Sequence, residues 1–365
     1  MHIYDIVIIG AGPAGTTLAR ELAAAGHGAH RRDGRILLID GQNEKLRKPC
    51  GGLLAPDAQK VLAHFDLVLP KRVLADPQIF AVKTIDLQSR LVRYYQRYYL
   101  NMDRYAFDRW LFDLVPPEVA KLAGRCRKIE REGKHLRLTV HTAEGPVTVL
   151  CHRLVGADGA DSIVRRTFFS RPAKQYTAIQ QWFQNTDHDA DQSIPFYSCI
   201  FDPETSDSCS WLIHKEDKII FGGCFDAHNC RQMFDRQKER LSAFLGYRLD
   251  CPLRTEACLV DSPEKKSDFI TGKDNIYLVG EAAGLISASS FEGISSAILS
   301  ADLLAQTLAA QLPAPASQFV YRSRTRALRF RLTCKILKRR ILYTPWLRAL
   351  IMRSGIGSIQ VRKNT

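Results

Sequence analysis

The pattern of apolar and polar positions changes period twice within the first 40 residues. Residues 3–9 form a nearly continuous apolar run rich in β-branched side chains, typical of a strand buried on both faces of a parallel sheet. Residues 16–25 show apolar positions at helical spacing, and Gly26 follows as a stop signal. Residues 35–40 return to an apolar run that ends in an acid. Together these segments predict a βαβ unit.

Two later stretches, residues 74–100 and residues 176–264, lose this alternation of strand and helix. Their short apolar runs are broken by Asp, Pro, Ser and Gly, which favours a β-rich second domain inserted twice into the first. The expected architecture is α/β: a discontinuous Rossmann-like domain, an inserted β-rich substrate domain and a helical C-terminal tail. The remaining boundaries are 1–73, 101–175 and 265–320 for the first domain and 321–365 for the tail.

Composition narrows the class of protein. Of the 365 residues, 45% are hydrophobic and 25% are charged, which excludes disordered and fibrous proteins. The net charge is +14, but 13 of the 52 Lys and Arg residues follow Asp302, and no acidic residue does. The rest of the chain is nearly neutral. The positive charge therefore belongs to the tail, and a globally basic nucleic-acid binder is excluded.

Targeting signals and cysteine spacing point to a cytoplasmic protein. No apolar run approaches the roughly 18 residues of a membrane span, and the N-terminal pattern is a strand rather than a signal peptide. The 10 cysteines contain no C-x-x-C pair, so neither a zinc ribbon nor a thioredoxin-type site is expected. We expect most of them to be reduced thiols in the core and no metal site.

The loop after the first strand carries the pattern G-x-G-x-x-G. Gly10 permits the tight turn, Gly12 lets the backbone approach a pyrophosphate, and Gly15 lets helix and strand pack closely. The following helix N-terminus presents N–H groups to phosphates, and Asp40 is expected to accept hydrogen bonds from ribose hydroxyls. The alternative is a purely structural glycine turn. The residues expected to bind the dinucleotide are Gly10, Gly12, Pro13, Ala14, Gly15, Asp40 and Gly41.

Three further segments resemble motifs of the flavoprotein family built on the hydroxybenzoate-hydroxylase plan. Residues 154–166 (LVGADGADSIVRR) are similar to its DG motif, and residues 101–111 are similar to its R-x-x-F-D-x-x-L helix. Residues 276–284, continued by residues 291–294, resemble its second FAD fingerprint, in which an acid binds the ribitol. The resemblance implies FAD as the cofactor. It adds Arg104, Cys126, Asp158, Gly280, Glu281, Gly293 and Ile294 to the expected cofactor-binding residues.

The segment KPCGG at residues 48–52 resembles the C-G-G segment of the geranylgeranyl reductase family, which lies beside the isoalloxazine ring there. Within that branch the chain is most similar to the CbrA-type bacterial proteins. The stretches that carry this similarity are residues 48–59, 178–183, 195–202, 280–294 and 351–355. The resemblance implies flavin contacts from Lys48, Cys50, Gly51 and Gly52, and a catalytic set of Cys50, Gly51, Gly52 and Trp211.

The chain departs from the family pattern at three places. The second fingerprint has Glu281 in place of Asp, and the Pro usual after Gly284 is absent. The reductase segment Y-x-W-x-F-P-K reads CSWLIHK here, so that only Trp211 and Lys215 match. These departures weaken the prediction of the substrate more than the prediction of FAD as the cofactor.

Cys50 has two interpretations. A thiol followed by two glycines suits a redox-active or proton-handling group close to the flavin, whereas a small residue chosen for fit is the structural alternative. His214 and His228 are isolated histidines, for which a structural role is the expectation.

The tail after Arg322 shows helical order with two apolar lines. One line comprises Ala327, Phe330, Cys334, Leu337 and Ile341, and the other comprises Leu328, Leu332 and Ile336. We expect one line to pack on the protein and the other, flanked by Lys and Arg, to contact an anionic membrane surface. The alternative is a solvated helix face.

The sequence therefore predicts a flavin-dependent oxidoreductase that reduces C=C bonds of a polyprenyl lipid by hydride transfer from reduced FAD. One alternative is a monooxygenase that uses a flavin hydroperoxide on an aromatic or lipid substrate. Another is a non-catalytic flavoprotein that binds a lipid carrier at the membrane. The expected electron donor is NAD(P)H or an acidic carrier, ferredoxin or flavodoxin, since a second dinucleotide loop is not visible in the sequence. The expected location is cytoplasmic, peripheral at the inner face of the membrane.

Overall fold

The computed structural model describes residues 3–26, 35–41, 48–170, 174–185, 197–246 and 248–361. Two compact units share the chain. The first comprises Met1–Arg47, Phe107–Lys174 and Asp261–Ile336, and the second comprises Lys48–Ala106, Gln175–Val260 and Leu337–Thr365. The chain thus enters the second unit at residue 48, earlier than the sequence boundary at residue 74, because the short strand at residues 53–54 pairs with a strand of that unit.

The elements follow in chain order. The strands are β1 (Ile3–Ile9), β2 (Ile36–Asp40), β3 (Leu53–Leu54), β4 (Ile79–Asp86), β5 (Leu91–Asn101), β6 (Ala120–Ala123), β7 (Arg125–Glu132), β8 (His135–Thr142), β9 (Gly145–Gly156), β10 (Gln175–Gln184), β11 (Tyr197–Phe201), β12 (Cys209–Lys215), β13 (Lys218–Phe225), β14 (Arg254–Asp261), β15 (Gly272–Lys273) and β16 (Ile276–Leu278). The helices are α1 (Pro13–Ala24), α2 (Pro56–His64), α3 (Arg104–Asp113), α4 (Ile163–Phe168), α5 (Cys230–Leu245), α6 (Ile294–Ala309), α7 (Ala314–Arg324), α8 (Arg326–Leu342) and α9 (Pro345–Ser354). Short 3-10 turns lie at Lys71–Val73, Lys266–Asp268 and Gly280–Ala283.

The first unit is built on a sheet whose strands run in the order β15-β16-β9-β1-β2-β6. The five strands from β16 to β6 are mutually parallel, as the apolar runs in β1 and β2 predict for strands covered on both faces. Strands β7, β8 and the first half of β9 form an antiparallel meander that continues the sheet. This meander is not among the elements predicted from the sequence.

Helices cover both faces of the parallel strands. On one face, α1 and α6 pack against Ile6 and Ile8 through side chains such as Leu18 and Leu304. On the other face lie the meander and the buried line of α8, which is Leu328, Leu332 and Ile336. One of the two lines predicted in the tail therefore packs against a core.

The second unit is built on a sheet with the strand order β14-β10-β13-β12-β11-β4-β5-β3. Helix α5 covers one face, where Phe234 and Leu241 are fully buried against Ile179 and Phe221. Burial of each such side chain contributes roughly 1.5–3 kcal/mol. Because side chains alternate along a strand, Gln180, Trp211 and Ile213 lie on the opposite face. The candidate catalytic residues of this unit lie on that second face.

The last helix is held to the second unit by a buried ion pair. Arg348 in α9 is 3% exposed, and its Nε donates to Oδ2 of Asp86 at 2.8 Å. The guanidinium also lies 4.8 Å from the ring centre of Phe201. In the part of the chain that the structure describes, no helix is long and apolar enough to cross a membrane.

Candidate functional site

The glycine-rich loop at residues 10–15, called the phosphate loop below, lies in the first unit. Close packing alone explains two of its three glycines. A Cβ on Gly10, where φ is +105°, would lie 2.5 Å from the carbonyl oxygen of Ala157. A Cβ on Gly15 would overlap the carbonyl oxygen of Gly10. Both positions therefore require glycine for the strand–turn–helix geometry itself.

Gly12 differs because its missing side chain faces open space. A Cβ there would have nothing within 4 Å among the described residues, and its φ of −76° suits any amino acid. Gly12 is the N-cap of α1, with Pro13 at the first helical position and Ala14 next. The first N–H groups of a helix lack intrahelical acceptors and favour anions. The loop thus has the open side and the donors that a pyrophosphate needs.

Asp40 ends β2 and is nearly buried. Its Oδ2 accepts a hydrogen bond from Nη2 of Arg109 in α3 at 2.8 Å, and the two form an ion pair. Gly41 follows directly, where the chain leaves the sheet. The pair fixes the orientation of the carboxylate. Arg109 is not among the residues expected from the sequence, although it lies within the motif at residues 101–111.

Asp158 holds the start of α4. Its carboxylate accepts from Oγ of Ser162 at 2.5 Å and from the backbone N–H of Ile163 at 2.8 Å. Burial raises the pKa of Asp158 to about 6, although these hydrogen bonds oppose the shift. Cys126 in β7 is also buried, and burial with the nearby charge of Asp158 raises its pKa to about 12. The Cys126 thiol therefore stays protonated near neutral pH.

The second fingerprint packs against the phosphate loop. A Cβ on Gly280, where φ is +57°, would lie 3.2 Å from Cβ of Ala14. Glu281 accepts a hydrogen bond from the backbone N–H of Asp261 at 3.1 Å. Gly293 is the N-cap of α6, and Ile294 is its first residue.

Three motifs that are far apart in sequence thus meet in the first unit. Gly10 lies against Ala157, and Ala14 lies against Gly280. The open side at Gly12, two helix N-termini and the carboxylate of Asp40 fit a dinucleotide. The residues present therefore fit the cofactor that the sequence predicts.

The Cys50–Gly52 segment lies in the second unit, on the face of the sheet opposite α5. A Cβ on Gly51 would lie 2.5 Å from Cδ1 of Ile213 and 3.7 Å from Cδ1 of Trp211. Gly52 has a φ of +66°, and a Cβ there would overlap the carbonyl oxygen of Met102. Both glycines are thus explained within the unit by close packing, a reason that the sequence analysis did not give. The backbone N–H of Gly52 points to Sγ of Cys50 at 3.4 Å.

Lys215 is a buried cation on this face, only 5% exposed. Its Nζ donates to Oδ1 of Asn101 at 2.8 Å, to the carbonyl oxygen of Met102 at 2.5 Å and, more weakly, to that of Gly52 at 3.4 Å. Burial lowers the pKa of Lys215 to about 8, although the charges of Cys50, Asp103 and Glu216 oppose the shift. The ammonium thus connects β12 to the end of β5 at Asn101 and to the backbone of Gly52, just before β3.

The other residues predicted from the sequence differ in their distance along the chain from Cys50 and in their exposure. Lys48 precedes Cys50 by two residues in the same unit, and Arg104 is the first residue of α3. His214 is half-buried next to Lys215, and burial lowers its pKa. His228 is exposed and pairs with Asp226. Of the predicted stretch 195–202, residues 195 and 196 lie outside the described residues.

The sequence and the fold of the chain are both similar to those of known proteins. No protein-family model matches the chain. Protein CbrA of Escherichia coli strain K12 is 42% identical over 370 residues, which cover 100% of both chains. A geranylgeranyl bacteriochlorophyll reductase-like protein of Thermoplasma acidophilum has a TM-score of 0.80 at 18% identity, over 100% of this chain and 94% of that chain. PqsL of Pseudomonas aeruginosa, a probable FAD-dependent monooxygenase, has a TM-score of 0.68 at 19% identity, over 98% and 99%.

The fold is that of the FAD-dependent flavoprotein oxidoreductases and monooxygenases. The α/β class, the helical C-terminal region and the FAD-binding fold predicted from the sequence are therefore confirmed. Within this class, the sequence identity to a relative decides the family. At 42% identity over its full length, the chain belongs to the CbrA family.

Proposed function

We propose that the protein binds one FAD non-covalently and reduces C=C bonds of a polyprenyl lipid. The observation that carries this proposal is the packing of Cys50–Gly52 against Trp211 and Lys215, since these are positions at which the chain matches the geranylgeranyl reductase pattern. The TM-score of 0.80 to the geranylgeranyl bacteriochlorophyll reductase-like protein agrees with this proposal at the level of the fold.

When bound and reduced, FAD supplies a hydride to one carbon of a C=C bond, and a proton must reach the other carbon. In this proposal Sγ of Cys50 holds that proton, and Lys215 fixes the segment that carries it. The face around them suits an apolar chain, because Val82, Ile213 and Ile220 form its core with aromatic side chains beside them. The phosphate loop and Asp40 bind the dinucleotide in the first unit.

Gly12→Val tests cofactor binding without disturbing the fold. The valine side chain enters the open space at Gly12, where a pyrophosphate has to approach, so we expect a folded, colourless protein. Gly15→Ala is the contrast, because its Cβ overlaps the Gly10 carbonyl and should destabilise the protein itself. Flavin absorbance and thermal unfolding of both purified variants separate the two effects. A Gly12→Val protein with its full yellow colour contradicts the proposed site.

The reaction is tested with the photoreduced protein under anaerobic conditions. A geranylgeranyl lipid should reoxidise the flavin and gain two hydrogens, as seen by absorbance and mass spectrometry. A product that gains one oxygen atom and requires O₂ identifies a monooxygenase instead. A flavin that no lipid reoxidises without oxygen refutes the reductase. Reduced nicotinamide, ferredoxin and flavodoxin are the electron donors to compare.

The proposal includes contact with an anionic membrane through the outer faces of α8 and α9. Phe330 is 65% exposed and Trp346 is 68% exposed, with Leu337 and Leu350 also exposed. Cations flank these side chains, and no acidic residue follows Asp302. Each cation near an anionic surface contributes about 1 kcal/mol. An apolar helix face with this charge fits an anionic lipid surface.

Flotation with vesicles tests this contact. We expect the FAD-loaded protein to float with anionic vesicles at low salt and to be released as salt screens the charges. Replacing Arg331, Lys335, Arg340 and Arg353 by Gln should abolish flotation. Arg339 and Arg348 stay unchanged, because they pair with Asp207 and Asp86 within the protein. A fourfold variant that still floats like the wild type shows a solvated helix face.

A further inference from the structure

A row of three residues crosses the sheet of the second unit on the face that carries Cys50–Gly52. Gln180 in β10 is opposite Gly222 in β13, and Gly222 is opposite Trp211 in β12. A Cβ on Gly222 would lie 2.6 Å from Nε1 of Trp211 and 2.7 Å from Cβ of Gln180. The indole ring therefore lies over the glycine, and its N–H is a neighbour of the Gln180 side chain.

The orientation of the Gln180 amide is fixed by Glu256. Nε2 of Gln180 donates to Oε2 of Glu256 at 2.7 Å, and the same oxygen accepts from Nε1 of Trp182 at 3.0 Å. A carboxylate oxygen only accepts, so the NH₂ group of the amide must face Glu256. The amide oxygen Oε1 is left as an acceptor on the other side.

Two polar atoms of opposite kind are then unsatisfied on the two residues that flank Gly222. Gln180 is 1% exposed, and within the described ranges neither its Oε1 nor Nε1 of Trp211 has a hydrogen-bond partner. Buried polar groups are almost always paired in folded proteins. An unpaired acceptor and an unpaired donor on neighbouring residues of one row point to a ligand that accepts from one and donates to the other.

A hydroxyl group has both capacities, whereas an ionised phosphate only accepts. We propose that Gln180 and Trp211 bind one neutral hydroxyl group of the substrate, the indole N–H donating to its oxygen and its proton bonding to Oε1 of Gln180. This inference rests on the proposed function and narrows its substrate class to polyprenyl lipids with a free hydroxyl, such as a polyprenyl alcohol.

Binding to the oxidised, FAD-loaded protein tests this inference without turnover. The probes are geranylgeraniol, geranylgeranyl diphosphate and a saturated hydrocarbon of the same length, each titrated by calorimetry from a cyclodextrin carrier. We expect the alcohol to bind at least tenfold more tightly than either other probe. Gln180→Met should weaken alcohol binding about tenfold and leave hydrocarbon binding unchanged. Trp211→Phe should weaken alcohol binding by more than it weakens hydrocarbon binding, since the indole also lies on the apolar face. The double variant should lose little more than either single one, because both residues bind the same hydroxyl.

Gln184→Met is the matched control, since Gln184 is an exposed residue at the end of the same strand. Flavin absorbance and thermal unfolding verify that each variant is folded. Equal affinities for alcohol and hydrocarbon, or tighter binding of the diphosphate that ignores Gln180→Met, overturn the inference and leave a bound water as the partner of the pair. Selective alcohol binding without anaerobic reoxidation refutes the proposed function alone. Reduction of the diphosphate without alcohol preference refutes the inference alone.

Discussion

Lys215→Met should remove a pH dependence of stability that the wild type owes to one buried ammonium. Lys215 is 5% exposed, and burial lowers its pKa from 10.5 to about 8. Each unit of such a shift corresponds to 1.36 kcal/mol, so protonated Lys215 costs the folded state about 3 kcal/mol relative to a solvated lysine. The charges of Cys50, Asp103 and Glu216, which oppose the shift, already enter this balance.

The sign follows from which state binds more protons. Below pH 8 Lys215 is protonated in both states, and the folded state carries the full cost. Between pH 8 and 10.5 the unfolded chain keeps the proton that the folded protein has lost, so the stability of the wild type rises with pH in this window. The methionine variant has no such group. The stability of the wild type minus that of Lys215→Met should therefore grow by about 2–3 kcal/mol from pH 7.5 to pH 10.

Urea unfolding of both proteins at half-unit pH steps measures this difference, in which the contributions of titrating groups that do not interact with Lys215 cancel. Methionine also leaves the oxygens of Asn101 and Met102 without their donor, which lowers the stability of the variant at every pH but adds no slope. Lys218→Met is the matched control, because Lys218 is a partly exposed lysine near the same turn. A flat difference for Lys215→Met between pH 8 and 10 would refute the assignment of a desolvated ammonium at this face.

Two further predictions concern the second unit. Arg348→Met should lower the free energy of unfolding by about 3–5 kcal/mol, because it leaves Asp86 buried without its partner; chemical unfolding measures this, and the exposed Arg353→Met should change little. Cys50→Ala should keep FAD bound but slow the anaerobic reoxidation by lipid, whereas Cys251→Ala, at an exposed thiol, should not. Wild-type turnover in Cys50→Ala would reduce Cys50 to a packing role.

The parts of the fold that the sequence predicts correctly are those with a strong local period. Strand β1, helix α1 and strand β2 follow directly from the pattern in the first 40 residues. The buried line of α8 is also one of the two lines read from the tail. In both regions a repeated apolar spacing leaves one arrangement that buries the side chains.

The parts that were missed depend on contacts between distant residues. Helix α5 has a usable signal, since Phe234, Leu241 and Leu245 recur at helical spacing, but it follows a β-rich stretch that suggested more strands. Lys215 sits in a polar run that resembles a turn, and only the fold shows that it is buried. The need for glycine at Gly52 arises from the Met102 carbonyl, 50 residues away. No local pattern contains this information.

Successive side chains of β10 point to opposite faces of the sheet in the second unit. One set packs in the core against α5, and the other lies on the face that carries Cys50–Gly52. Ile179 and Phe183 point towards α5, and Gln181 accepts from Lys238 of that helix, so substitutions at these positions act on the core. Gln180 lies between them but faces the other way, because successive side chains of a strand alternate. A one-residue slip of β10 would exchange the two sets and place the polar amide against α5. The same register that buries the apolar set therefore also directs Gln180 to the face that carries Trp211. The packing of β10 against α5 thus determines which polar side chains the opposite face presents.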